Sequence, residues 1–344
     1  VYASPESLYL AVLEPTWGPW KVNDPHKVGT RIHKFDIDGA PAHPTYEASG
    51  RVDGWVLTSF SMDEEDRQFR LATTRETGDD RIPVNAVYVM MQVDQELMVV
   101  GQTEDIAPDV DIFAVRFMGD VGYVVTFHRV EFIDPLFTVD LSDPTNPTVK
   151  GELKVPGYST YLHPMGEDHL LAVGEDTDDA GWVTGVQFSL FDVADLEDPQ
   201  VQEQISIDND WAASEAVVDH HAFQYYEPLD LFAVPLTYEK SMGEGDIEFA
   251  GLQLYEVTVE DGFTLIGEMD ATPLIDPHVD ASYSHLCSQI RRTVIIEDKV
   301  FGVASGGIVA APADAPTHTL SLLAFPDAGN CDDPWSWTMG MQWW

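Results

Sequence analysis

Basic residues are scarce in this chain: 17 lysines and arginines stand against 60 aspartates and glutamates in 344 residues, a formal net charge of −43 at pH 7. A field of that sign repels nucleic acid and anionic lipid and argues against binding to either. Cysteine is scarcer still, with only Cys287 and Cys331, too few for a disulfide scaffold or a zinc cluster. Every apolar run falls well short of a membrane span, so no membrane insertion is expected. No long stretch shows 3.6-residue apolar periodicity, which predicts very little helix. A Ser-His-Asp order, a phosphate loop, H-E-x-x-H and C-x-x-C are all absent, and nucleophilic catalysis has no support in the sequence. The chain begins Val1-Tyr2-Ala3-Ser4, with neither an initiator Met nor a signal peptide, and reads as a processed or truncated product with an upstream portion missing.

What is present is a phrase that returns on a beat. Phe35-Asp36-Ile37-Asp38 is followed by Val139-Asp140-Leu141-Ser142-Asp143 and Phe191-Asp192-Val193-Ala194-Asp195; Asp140 and Asp192 lie 52 residues apart, and Asp36 precedes Asp140 by twice that interval. A period of this size marks a repeat architecture, and the strand-like composition of the phrases restricts it to all-β arrays.

Around each phrase the same grammar recurs, clearest in the third unit. Ile112–Phe117 reads as a strand, Gly119-Asp120 as a turn, Tyr123–Phe127 and Leu136–Asp140 as strands, and Val149–Leu153 as a fourth after the turn marked by Asp143-Pro144 and Asn146-Pro147. First turns fall also at Pro5-Glu6, Asp63–Asp66, Gly166–Asp168, Leu229-Asp230 and Glu297-Asp298, which makes six units. Their second strands, such as Leu170–Val173 and Leu231–Val234, are unbroken apolar runs suited to strands covered on both faces. The predicted fold is therefore all-β, a β-propeller of four-stranded antiparallel blades with six blades visible, over residues 1–326; residues 327–344 form a Trp-rich tail. A solenoid is the architectural alternative, but its units are usually shorter.

The wording of several segments resembles a known family. Arg116–Phe127, Asp134–Pro144, Gly157–Pro164 and Asp219–Phe223 are similar to the secreted bacterial and archaeal β-propeller family distantly related to WD-40 repeats. The resemblance implies a propeller and a secreted or cell-surface address. It implies no settled biochemical activity. Members are typically longer at the N-terminus, where a further segment contributes additional blades.

Four features are candidates for chemistry. Glu175–Gly181 places Asp176, Asp178 and Asp179 before a Gly turn, a spacing that can wrap oxygen ligands around calcium; Ala180 stands where an EF-hand has a ligand, and a solvated hairpin tip is the competing reading. His163, at the end of a first strand, and His220 or His221, read as lying within another, can converge on the channel to bind a transition metal. Because neighbours on a strand point to opposite faces, only one of the adjacent pair would take part. Their alternative role is hydrogen bonding between blades. Arg291-Arg292 can clamp an anion or neutralise nearby carboxylates. A Cys287–Cys331 disulfide can tie down the tail, where Trp335, Trp337, Trp343 and Trp344 form a contact surface for a partner or pack over the propeller.

These readings predict a non-enzymatic extracytoplasmic binding or assembly module, possible calcium stabilisation, and a protein partner or the chain's own N-terminal portion as its counterpart. The rival is a metal-dependent enzyme with a histidine-lined channel site.

Overall fold

The computed structural model describes residues 1–14, 28–39, 43–77, 81–127, 133–178, 181–208, 212–239, 247–274 and 287–325. Among them strands dominate, and they fall into six antiparallel meanders in chain order. The first spans Tyr2–Ala3, Ser7–Glu14, Gly29–Asp36 and Thr45–Asp53, and the second Met62–Glu65, Gln68–Thr77, Ile82–Val93 and Glu96–Gln102. One parallel bridge, Ser49 to Glu96, joins these two into a continuous sheet. The third and fourth meanders are separate four-stranded sheets, Ile112–Met118 to Thr148–Pro156 and Tyr158–Met165 to Gln200–Asp208. The fifth has five strands and the sixth, Ile290–Ile296 to Ser321–Ala324, has four.

The chain divides into two compact units, Val1–Ala172 with Thr177–Gly181 and Phe191–Val201, and Val173–Asp176 with Trp182–Leu190 and Gln202–Trp344; the division runs through the fourth meander.

The apolar runs sit where the sequence places them. In the second strands Gln68–Thr77 and His169–Thr177 the interior residues are buried in succession rather than alternately. Such a pattern arises only when both faces of a sheet are covered. In the first unit the cover comes from neighbouring meanders: Tyr9 stacks on Phe69 with ring centroids 4.0 Å apart, and Ile32, Leu71, Tyr88 and Met90 complete that layer. Equivalent layers lie between the second and third meanders, around Val87, Val124 and Val139, and between the third and fourth, around Tyr123, Leu136, Leu170 and Phe191. In the second unit Leu252, Leu254, Ile290, Val300 and Val309 form another.

The aspartate phrases are turn devices. Oδ1 of Asp36, Asp140 and Asp192 accepts the amide of the residue two positions on, at 2.8–3.0 Å, and Asp143 and Asp195 repeat the motif three residues later. Each is an Asx turn, in which a carboxylate takes the place of a backbone acceptor. Hydrogen bonds from the Ser142 hydroxyl and amide hold the Asp140 carboxyl below the ordinary aspartate range. The residue after the third-strand aspartate, or after Glu256 and Pro312 at the equivalent places in the fifth and sixth meanders, also reports on register. Its amide reaches back to the first turn of its own meander: Ile37 to the Glu6 carbonyl, Leu141 to Asp120, Val193 to Asp168, Val257 to Asp230 and Ala313 to Asp298, all at 2.7–2.9 Å.

Successive meanders interlock at their outer strands. Gly101 lies against the Pro144 carbonyl and Pro147 of the next meander's turn, and Gly151 against the Leu196 carbonyl and Pro199 of the one after. Thr138 Oγ1 closes the second of these contacts, accepting from the Gly151 amide at 2.8 Å and donating to the Leu196 carbonyl at 2.5 Å. In the second unit Gln202 and Glu203 bond the Val259 carbonyl and the Phe263 amide at the equivalent turn.

A Cβ on Gly151 would overlap the Leu196 carbonyl and stand 2.8 Å from Pro199 Cδ, with backbone on one side and a ring on the other. Gly151→Ala is therefore expected to destabilise by about 1–3 kcal/mol, the usual cost of overpacking. Chemical denaturation checks this; an unchanged midpoint would show that the interlock yields freely.

Candidate functional site

The histidine pair owes its position to a proline. In the fifth meander the second strand, Leu231–Glu239, carries Pro235 at its centre. The Pro235 carbonyl accepts from Ser214 Oγ at 2.6 Å, so it faces the first-strand side, where the ring supplies no N–H donor. The first strand accordingly splits into Ala212–Ala213 and Gln224–Tyr226, which pair with the two ends of Leu231–Glu239. Between them the chain steps out. Ser214 caps the helical turn Glu215–Val218, and Asp219 caps a 3₁₀ turn at His220–Ala222.

This corrects the expectation that His220 and His221 lie on a strand and face opposite ways. On the 3₁₀ turn their rings lie together, with centroids 3.9 Å apart at 33°. Ligand atoms of Asp219, His220 and His221 all lie within 4.8 Å of one another, and among the described residues this is the sole group of three or more such side chains that could hold a metal.

The cluster's carboxylate is already engaged. Asp219 Oδ1 accepts from the His221 amide at 3.0 Å and lies 2.8 Å from His221 Nδ1, and Arg292 Nη2 donates to Oδ2 at 2.7 Å. Burial pushes the Asp219 carboxyl up, but the bonds from His221 and Arg292 outweigh it and hold the group below the ordinary aspartate range. Arg291 bonds Glu215 at 2.5 Å. The basic pair thus neutralises carboxylates, as one of its two readings requires. Any metal entering here would displace or repel a guanidinium.

His163 does not belong to this group; it lies in the other unit, on the first strand Tyr158–Met165. Its surroundings are Tyr161, with ring centroids 6.4 Å apart, and the charge of Arg116. Arg116 lies over the Phe60 ring at 4.9 Å, and the Tyr161 ring meets the same Phe60 at 5.2 Å. The sequence reading passed over Arg116, Phe60 and Tyr161. A signal was there: Arg116-Phe117-Met118-Gly119 and His163-Pro164-Met165-Gly166 place the arginine and the histidine at the same repeat position.

Asp176 is the penultimate residue of the strand His169–Thr177, and Asp178 opens the turn after it, where its carbonyl accepts the Gly181 amide at 2.8 Å. Asp179 lies outside the described residues. Cys287 is fully buried and disulfide-bonded; Cys331 and the four tail tryptophans lie outside the described residues. No helix among the described residues is long and apolar enough to cross a membrane.

Comparison with known proteins identifies the class. The model of the family described as "Beta propeller domain" matches residues 1–315, and the chain belongs to that family. An uncharacterised protein of Methanocaldococcus jannaschii is 40% identical over 209 residues, 60% of this chain and 30% of that protein. One from Archaeoglobus fulgidus is 36% identical over 239 residues, 69% of this chain and 32% of that protein. The chain thus spans about a third of the length of the curated relatives it matches. Among solved structures, the β-propeller domain of the trilobed protease of Pyrococcus furiosus aligns over 90% of this chain and 80% of its own, with TM-score 0.43 and 10% identity. The Kuenenia stuttgartiensis hydrazine synthase aligns over 83% and 74%, with TM-score 0.42 and 8% identity.

Burial, and secondarily the Arg116 charge, lower the His163 pKa to about 4. An unfolded histidine takes its proton near pH 6.5, roughly its reference value, so the folded chain binds fewer protons between those limits. The contribution of neutral His163 to stability is complete above that reference value and is lost as pH falls toward about 4. His163→Gln should remove this part of the pH dependence in denaturation midpoints measured across that range. An identical slope in the variant would assign the effect to other groups.

Proposed function

We propose that the chain is a non-enzymatic binding or assembly module acting outside the cytoplasm, which joins a protein partner or a further portion of a longer polypeptide. The observation that carries this reading is the outer strand Ser321–Ala324. Among the described residues it pairs on one side only, with Gly307–Ala310, and all four of its residues are exposed. Leu322 and Leu323 are 40% and 57% exposed, and Leu320 and Phe325 flank them in the open. Outer strands usually discourage edge pairing with charge, as Lys150, Glu152 and Lys154 do on Thr148–Pro156. An apolar outer strand is a surface prepared for cover. The length of the relatives favours a neighbour within a larger polypeptide. The buried disulfide at Cys287 favours an oxidising compartment.

Without its partner such an edge associates with itself. The wild-type chain should show concentration-dependent association in sedimentation velocity, and the double variant Leu322→Glu/Leu323→Glu should remain monomeric at all concentrations. A wild-type chain that stays monomeric and shows no affinity for an apolar dye would overturn the reading.

The metal readings are tested together. Calcium held by Asp176, Asp178 and Asp179 would act as a stabiliser, so it should raise the melting temperature of the wild type and leave Asp176→Ala/Asp178→Ala unmoved. Equal melting with and without calcium sinks that site. The enzyme reading draws its support from the Asp219, His220 and His221 cluster. A bound transition metal lost on replacing His220 or His221 would favour it over the assembly module.

A further inference from the structure

We propose that a cavity in the first unit, walled by Phe60, Met62, Arg116 and Phe117, binds a small ligand that joins a carboxylate to an apolar body, with Arg116 as the group that recognises it. The site lies apart from the outer strand treated above, and either can fail while the other stands.

The cavity measures about 380 Å³, within the range of small-molecule sites, and Val1, Tyr2, Ala3, Ser59 and Asp63 complete its wall. Its electrostatics are unusual for this protein. Nine arginines lie among the described residues, and seven of them form an ion pair with a carboxylate. Of the other two, Arg67 is an exposed turn residue, and Arg116 stands at this cavity. In a chain of net charge −43, no described carboxylate lies within ion-pair distance of Arg116. The nearby acid is spoken for: Asp63 bonds Arg70 through one oxygen and Tyr2 Oη through the other at 3.1 Å.

Arg116 is nevertheless held in place. Phe60 lies 4.9 Å from it, a cation–π contact that holds the guanidinium over the ring and leaves its N–H donors for a ligand. A planar donor fork matches a carboxylate bidentately, and a lysine at the same place would not. Phe60, Met62 and Phe117 supply an apolar side of the wall, beside the polar Ser59 and Asp63, against which a hydrocarbon or aromatic body can lie. The long-range field of the acidic surface opposes an anion, but it is screened beyond about 8 Å at physiological salt, whereas contact with Arg116 is not.

The same chemistry is presented by a free organic acid and by the C-terminus of a peptide. The probes are therefore phenylacetate, its methyl ester, and a tetrapeptide ending in phenylalanine with a free or an amidated terminus, titrated by calorimetry in 0.15 M salt. Phenylacetate should bind and its ester should not. Binding of both phenylacetate and the free-terminus peptide, or of the free-terminus peptide alone with the amide inert, supports the site; the first result names free acids as sufficient and the second names peptide termini. Arg116→Met, which keeps the apolar stem, should weaken binding at least about tenfold. A bound carboxylate also offsets the Arg116 charge, so in the wild type saturation with whichever of the two acids binds should raise the His163 pKa followed by NMR. This arm needs no variant to fold. No binding by either acid, equal binding by Arg116→Met, or an unmoved His163 would each overturn the proposal.

Discussion

The structure depends on one contact made repeatedly: the outer strand of a meander seated against the third-to-fourth turn of the next. At Gly101 and Gly151 the seat is backbone on backbone, with a proline ring beside it. Such an approach is possible only without a side chain, and the turn must present its carbonyl at a fixed place. The aspartates do the second part. Their Asx turns set the shape of the corner, and the amide that follows ties the third strand to the first turn of the same meander. Register within a meander and spacing between meanders are therefore fixed by the same few residues, and the apolar layers have a defined gap to fill.

This use of aspartate bears on the acidity of the chain. A net charge of −43 would be expected to strain a compact fold through self-repulsion. Many of the carboxylates are instead local acceptors at turns, exposed to solvent and satisfied by amides and hydroxyls. The few that go inside are matched individually, as Glu64 is by Tyr9 Oη at 2.6 Å and by Ser7. The cations are spent in the same way, on Asp63, Glu215 and Asp219. Against that economy an arginine with an aromatic partner and no acid among the described residues stands out, and so does an outer strand with leucines where Thr148–Pro156 carries lysine and glutamate.

Much of the architecture was legible because it is periodic. The 52-residue beat, the unbroken apolar second strands and the proline-marked corners each follow from short-range chemistry, and six meanders appear where the first turns predict them. The candidate site was less legible because it sits where the period fails. Asp219-His220-His221 reads as strand by composition, and what removes it from the strand is Pro235, sixteen residues further on and on the facing strand. Its engagement by Arg292 is more remote still, across 73 residues. Arg116 and His163 share a repeat position, yet that equivalence gains meaning only when Phe60 and Tyr161 are found between them.

The sequence by itself determined the all-β class, the number of meanders and the role of aspartate at their corners, because these rest on strand periodicity and turn chemistry that act over a few residues. Only the tertiary structure decided which polar groups meet. Distance between meanders is set by packing, and it is packing that closes the carboxylate of Asp219 with an arginine and, among the described residues, brings no carboxylate to Arg116.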